Sequence, residues 1–231
     1  MIWVIIPTYN EERALPLTLT SLFRQDGNYR VVVVDGGSPD RTIDLIKAYA
    51  HITLLHAPKG RASQMNAGAK YAWEHQLKPT DWLLFLHADT QLPSEAFHQL
   101  HQLQSDHTCQ AGGFQHQFSG KDWRLRIISW LDNFRCQRSQ IIYGDQALFV
   151  RQGLFEQLGG FPNRQILEDV AFGQQLLAHT RPRILAPPVV TDPRKFIQMG
   201  VGRSFIRVLL IILYVEYGLP TLTPSFFQDV R

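Results

Sequence analysis

Four short runs of consecutive apolar residues mark the first half of the chain, and each is followed by a longer stretch of mixed polarity. Residues 2–6, 30–35 (with four successive valines), 52–56 and 82–87 read as buried strands. Residues 12–24, 38–48, 62–75 and 94–103 read as helices. Pro16 is tolerated near a first turn. Ser38-Pro39 reads as an N-cap followed by proline at the first helical position. Strands apolar on both faces, alternating with helices, predict an α/β class: a Rossmann-like, mostly parallel sheet flanked by helices.

The pattern changes after residue 108. Gly112, Gly113 and Gly120 interrupt it, and Phe114 and Phe118 alternate with polar residues as in a half-exposed strand. Residues 123–135 predict an amphipathic helix, 147–150 a short strand and 167–178 a helix. No internal repeat or flexible linker is visible in the 231 residues. The expectation is one domain with a regular half (1–108), an irregular half (109–193) and a tail (194–231).

Composition narrows the class. At 45% hydrophobic and 19% charged, a disordered chain is excluded. Two cysteines, Cys109 and Cys136, exclude a disulfide scaffold and a four-cysteine zinc site, and fit buried thiols in a reducing compartment. The net charge of +3 lies wholly in the tail, where Arg194, Lys195, Arg203, Arg207 and Arg231 face only Glu216 and Asp229. A balanced body argues against a nucleic-acid partner. The longest apolar run, 208–215, is too short to span a bilayer, and the start of the chain lacks a basic signal-peptide region. The expected place is the cytoplasm, either free or peripheral to the inner membrane face. Three roles are open for the tail: contact with a diphosphate, contact with a membrane surface, and packing on the core or a second subunit in a homodimer. Aromatic residues Phe205, Tyr214, Tyr217, Phe226 and Phe227 suit all three.

Candidate chemistry gathers at the strand ends, where ligands bind in open α/β sheets. The first strand ends in Pro7-Thr8-Tyr9-Asn10-Glu11-Glu12, the second in Asp35-Gly36-Gly37-Ser38 and the fourth in His87-Ala88-Asp89. Asp35 could accept hydrogen bonds from a ligand or serve the helix that follows. Gly36-Gly37 leaves room for a ring or phosphate near the backbone. Asp89 suits Mg²⁺ or Mn²⁺, which take few carboxylates and complete their shell with phosphate and water. His87 is either a further ligand or a core histidine. Lys59-Gly60-Arg61-Ala62-Ser63-Gln64-Met65-Asn66-Ala67-Gly68 joins cations to a helix start, which suits a diphosphate. Glu168-Asp169 opens a helical pattern, where acids are favoured by the helix dipole and where Asp169 could act as a general base. Tyr143-Gly144-Asp145-Gln146 is a polar insertion before a strand. No dinucleotide fingerprint or P-loop is present.

These motifs, with Gly159-Gly160-Phe161, occur in an order that resembles the family 2 glycosyltransferases of GT-A fold over residues 2–180. The Lys59–Asn66 stretch and Tyr143-Gly144-Asp145-Gln146 further resemble a bacterial subgroup named for arsenosugar biosynthesis. The resemblance implies an inverting transferase that uses a nucleotide-diphosphate sugar and a divalent metal, Mn²⁺ or Mg²⁺, with a small-molecule or lipid-linked acceptor. It implies that Pro7, Tyr9, Glu11, Asp35, Gly36, Arg61 and Asn66 bind the donor nucleotide. Asp89 corresponds to the last acid of the family's Asp-x-Asp motif, whose first position is His87 here. Asp169 corresponds to the catalytic base, with Asp145, Gln146 and Glu168 near the acceptor and Arg194, Lys195 and Arg203 as diphosphate candidates. A sugar nucleotidyltransferase, which would need a glycine-rich loop after the first strand, and a non-catalytic binding protein of the same fold are the other classes.

Overall fold

The computed structural model describes residues 1–164 and 167–217. Eight strands form one sheet: β1 (Ile2–Thr8), β2 (Tyr29–Asp35), β3 (Ile52–His56), β4 (Trp82–Phe85), β5 (Thr90–Gln91), β6 (Ala111–Phe118), β7 (Phe149–Arg151) and β8 (Arg183–Thr191), in the order β3-β2-β1-β4-β7-β6-β8-β5. The first four are parallel, as their doubly apolar pattern requires. β7 runs antiparallel to β4 and to β6, β8 is parallel to β6, and β5 is antiparallel to β8. The sheet is therefore mixed, and strands from both halves of the chain share it.

Nine helices are described: α1 (Leu15–Leu22), α2 (Thr42–Lys47), α3 (Arg61–Glu74), α4 (Ala96–Gln102), α5 (Trp123–Ser139), α6 (Gln152–Gln157), α7 (Glu168–Leu177), α8 (Arg194–Met199) and α9 (Val201–Tyr217). Two buried clusters occupy the two faces of the sheet. Ile2, Val4, Ile6, Leu15, Trp82, Phe97 and Phe149 form part of one; Trp3, Ile5, Val34, Met65, Phe85, Phe155 and Phe172 form part of the other. Alternate residues of β1 thus serve opposite cores, which is why the whole strand reads as apolar.

Several sequence expectations change. α2 begins at Thr42, with Arg41 before it, so Ser38-Pro39 does not cap it. Ser38 is instead tied to Asp35 and Asn10. Gly112 and Gly113 do not break β6 but belong to it. A side chain at Gly112 would run into the Arg183 carbonyl and the Phe149 ring. β6 presents Phe114, His116 and Phe118 to the interior and Gln115 and Gln117 outward. α8 and α9 dock on α5 and β6 through Phe118, Leu125, Ile128 and Val201, with Phe196 and Phe205 against them. The tail thus packs on the core through Phe196, Val201 and Phe205; Phe226 and Phe227 lie outside the described residues. No helix among the described residues is long and apolar enough to cross a membrane.

Candidate active site

The carboxyl ends of β1 and β2 are locked together by side chains. Asp35 is fully buried. Its Oδ2 accepts from the backbone N–H of Gly37 (2.7 Å) and Ser38 (2.8 Å). Its Oδ1 accepts from the hydroxyls of Ser38 (2.5 Å) and Thr8 (3.4 Å). The Thr8 hydroxyl is shared with the Val34 carbonyl at 3.3 Å, so the three bonds from Gly37 and Ser38 hold the carboxylate to its own turn. Pro7 is buried in β1. Tyr9 is half-buried just beyond, with the Lys59 ammonium 3.7 Å from its ring centroid.

Glu11 is the hub of a charge cluster at the end of β1. Its carboxylate is buried and pairs with Arg194 and, at 2.9 Å, with Lys195. Lys195 Nζ also lies 3.2 Å from Asp89 Oδ2. The tail reaches this point because β5 pairs with the end of β8 (Thr90 opposite Thr191), and Asp192 N–H donates to the Asp89 carbonyl at 2.9 Å. Burial raises the Asp89 carboxyl, but Lys195 and His87 outweigh it and hold the group below the usual carboxylate range. Burial and the neighbouring Arg61 guanidinium push His87 down to about 4, against Asp89 and Asp169, so its imidazole is neutral at pH 7. An ionised carboxylate next to a neutral imidazole is a donor set that fits a divalent cation. Lys195, which stands against Asp89, would have to yield to it.

Beyond His87, α7 begins with Glu168 and Asp169. Glu168 is buried and pairs with Arg61 at 2.9 Å. Burial disfavours the Arg61 charge, yet Glu168, Asp169, Asp145 and Asp89 together raise its pKa. Asp169 Oδ2 accepts from Gly144 N–H at 2.7 Å, and its Oδ1 accepts from Val170 N–H at 2.8 Å. Gly144 opens a 3-10 turn (Gly144–Gln146) wedged between His87 and Asp169. A Cβ there would lie 2.6 Å from His87 Nε2 and 3.2 Å from Asp169 Oδ2. Only glycine lets the turn approach both groups.

Asp169 opens into a cavity of about 140 Å³ lined by Arg61, Tyr143 and Asp145 on one side and by Ile128, Phe196, Val208 and Ile211 on the other. At its floor, fully buried His116 lies between Asp132 (3.5 Å from Nδ1) and Asp145 (3.7 Å from Nε2). Neither ring nitrogen makes a hydrogen bond. Asp132 also takes a two-pronged contact from Arg135, whose guanidinium lies 3.4 Å from the Tyr143 ring centroid. Burial raises the Asp145 carboxyl to about 6; His116 and Arg135 oppose this, and Asp132 and Asp169 add to it.

The structure thus links Glu11, Asp89, His87, Arg61, Glu168, Asp169, Asp145, Arg194 and Lys195 through ion pairs and close approaches and gives other candidates different partners. Asn66 was expected at the nucleotide. Instead, its amide donates to the Phe161 carbonyl (2.8 Å) and accepts from the Phe161 N–H (2.9 Å), fastening the Gly159-Gly160-Phe161 turn to α3. Gln146 was expected near the acceptor but is wholly buried, joined to Tyr143 N–H (2.9 Å) and the Phe114 carbonyl (3.2 Å). Gly36 faces Gln64, whose amide donates to the Thr8 and Val34 carbonyls at 2.7 Å each. Arg203 is exposed on α9 and, among the described residues, makes no ion pair with Glu11 or Asp89. His116 and Asp132 were not foreseen as site residues, and Lys59 was foreseen only within the cationic stretch suited to a diphosphate, not against Tyr9. The period of two in β6 was the available signal for His116, since it shares a face with Phe114 and Phe118.

A mixed sheet whose strand ends gather acids and cations, with an acid at the start of α7 facing a separate cavity, defines a GT-A-type transferase fold. The glycosyl transferase family 2 model matches residues 3–155, and the chain belongs to glycosyltransferase family 2. The PGL/p-HBAD biosynthesis glycosyltransferases of Mycobacterium bovis and Mycobacterium tuberculosis are 30% identical over 192 residues, spanning 74% of this chain and 68% of theirs. Among solved structures, S. aureus TarS 1-349 matches 92% of this chain at TM-score 0.64 and 18% identity. This chain spans 65% of that one. The mannosyltransferase PcManGT of Pyrobaculum calidifontis, solved with GDP-Man and Mn²⁺, matches 99% of this chain and 67% of its own at TM-score 0.62 and 20% identity. At these identities the likeness is one of fold.

Proposed function

We propose that the chain is a single-domain inverting glycosyltransferase that moves a sugar from a nucleotide-diphosphate sugar to an acceptor hydroxyl, with Asp169 as general base. The observation that carries this reading is the position of Asp169, held by Gly144 N–H at the mouth of an apolar-walled cavity and next to the cation Arg61. An acceptor hydroxyl in the cavity gives its proton to Asp169 as its oxygen attacks the anomeric carbon. The bond to the diphosphate breaks on the opposite face, and charge grows on the leaving oxygens. Arg61, Arg194 and Lys195 are the cations available to receive that charge. The uncommitted face of Tyr9, with Pro7 and Glu11, suits the nucleoside.

Asp89, with the neutral His87 imidazole beside it, would hold a divalent ion, Mn²⁺ or Mg²⁺, which supplies positive charge against the leaving diphosphate. S. aureus TarS in complex with UDP-GlcNAc and PcManGT with GDP-Man and Mn²⁺ support both the donor class and the metal. The apolar wall of the cavity favours an acceptor with an apolar portion, whether a small molecule or lipid-linked. Cys109 and Cys136 are buried and unpaired, which supports a cytoplasmic site. The Lys59–Asn66 and Tyr143–Gln146 stretches, which resemble the arsenosugar-named subgroup, lie beside Tyr9 and Asp169 and support this reading.

Asp169→Asn tests the assignment. Transfer should fall by at least about 10²-fold while calorimetry shows donor binding unchanged. Transfer at the wild-type rate would remove Asp169 from the mechanism.

A further inference from the structure

α5 is apolar on two opposite faces. Its inner face buries Leu125, Ile128 and Cys136. Its outer face carries Trp123, Ile127, Trp130 and Phe134, at intervals of four, three and four residues that align them in one stripe. They are 66%, 46%, 64% and 54% exposed. Trp130 and Phe134 stack with ring centroids 5.9 Å apart, so the stripe is ordered rather than splayed. α9 packs beside α5 and adds Ile206 and Leu209, 58% and 46% exposed. An aligned run of exposed large apolar side chains of this kind marks an interaction site.

Charge identifies the occupant. Arg126 and Arg138 flank the stripe on α5, Lys121 precedes it, and Arg203 stands on α9; all are exposed. Pairing this face with itself across a two-fold axis would bring arginines against arginines. A bilayer with anionic headgroups accepts both features. Indole rings sit at the headgroup level, and arginines reach outward to the phosphates while their stems cover apolar surface. A helix with a wide apolar face and flanking cations lies in the interface plane rather than across the membrane.

We propose that the outer face of α5 and the adjoining face of α9 form a docking surface for an anionic membrane. The cavity that Asp169 faces is walled by Ile128 of α5 and by Val208 and Ile211 of α9. Ile128 belongs to the inner face of α5, so the cavity lies behind the docking stripe, and the docking does not depend on the cavity's role.

Co-sedimentation of the full chain with vesicles tests this. The chain should partition onto phosphatidylcholine vesicles containing phosphatidylglycerol at least about 10-fold more strongly than onto phosphatidylcholine alone, and high salt should weaken the effect. Trp123→Ser with Trp130→Ser should abolish sedimentation with either vesicle. Arg126→Gln with Arg138→Gln should lower partitioning onto the anionic vesicles by about 10- to 30-fold. All four positions are exposed, so circular dichroism should stay unchanged. Failure of the wild-type chain to bind anionic vesicles would overturn the proposal. Undiminished binding by the tryptophan variant would do the same, as would a solution dimer that this variant dissociates.

Discussion

Asp145 shows how one residue can serve the site at a cost to the fold. Burial, with Asp132 and Asp169 nearby, lifts its carboxyl to about 6 despite His116 and Arg135. An unfolded chain would release that proton near 3.9. The folded state thus holds the proton more tightly. The stability this contributes is complete below about pH 4 and is lost as pH rises through 6. Asp145→Asn removes the loss. The variant should melt with the wild type at pH 4 and should be about 1–2 kcal/mol more stable at pH 8, after allowing for the partly open setting of the carboxylate. Thermal melts at both pH values check this; equal melting at pH 8 would mean that Asp145 is already ionised without strain. Residues of this kind were only partly legible in the sequence. Asp89 stands out because it follows an apolar strand, Asp169 because it opens a helix, and Asp145 because it lies in a polar insertion before a strand. Asn66 and Gln146 carry the same polarity and adjoin the same motifs, yet their amides bind backbone. Nothing in residue type separates an amide that meets a ligand from one that ties two loops.

At the scale of elements, strand ends are useful only if the helices hold the sheet closely. α3 does so through Gly68. A Cβ there would lie 2.5 Å from Ile5 Cγ2 and 3.2 Å from Val34 Cγ2. Both neighbours are buried branched side chains with nowhere to move. Gly68→Ala should therefore destabilise the fold by about 1–3 kcal/mol, despite alanine's better helix propensity. Chemical denaturation should show a lower midpoint with an unchanged slope; a rise in stability would mean that α3 can slide outward. The first four strands were legible because burial on both faces leaves no polar alternation to interpret. β8 was not, because Pro187 and Pro188 interrupt it and argue against a strand. Its pairing with β6 is set by residues about 70 positions away, which no local pattern records. α6, six residues long, is too short to display a period.

For the whole molecule, the last described segment folds back onto the first. Arg194 and Lys195 close over Glu11, and Lys195 also occupies one oxygen of Asp89. The mild positive charge of the chain is therefore not a diffuse property. Two of its cations neutralise acids at the ends of β1 and β4, where a diphosphate and a divalent ion would meet. One ammonium then has two competing effects. With a donor present, Lys195 should contribute a charge-assisted contact to phosphate worth about 1.5–3 kcal/mol. Without a donor, it should repel any cation approaching Asp89. Lys195→Met separates them. Calorimetry should find nucleotide-diphosphate-sugar affinity reduced by about 10- to 100-fold, while Mn²⁺ alone binds more tightly than to the wild type. Glu11 keeps Arg194 as its partner, so the variant should still fold. Donor affinity equal to the wild type would make Lys195 a strut between Glu11 and Asp89 and leave Arg194 and Arg61 to face the diphosphate.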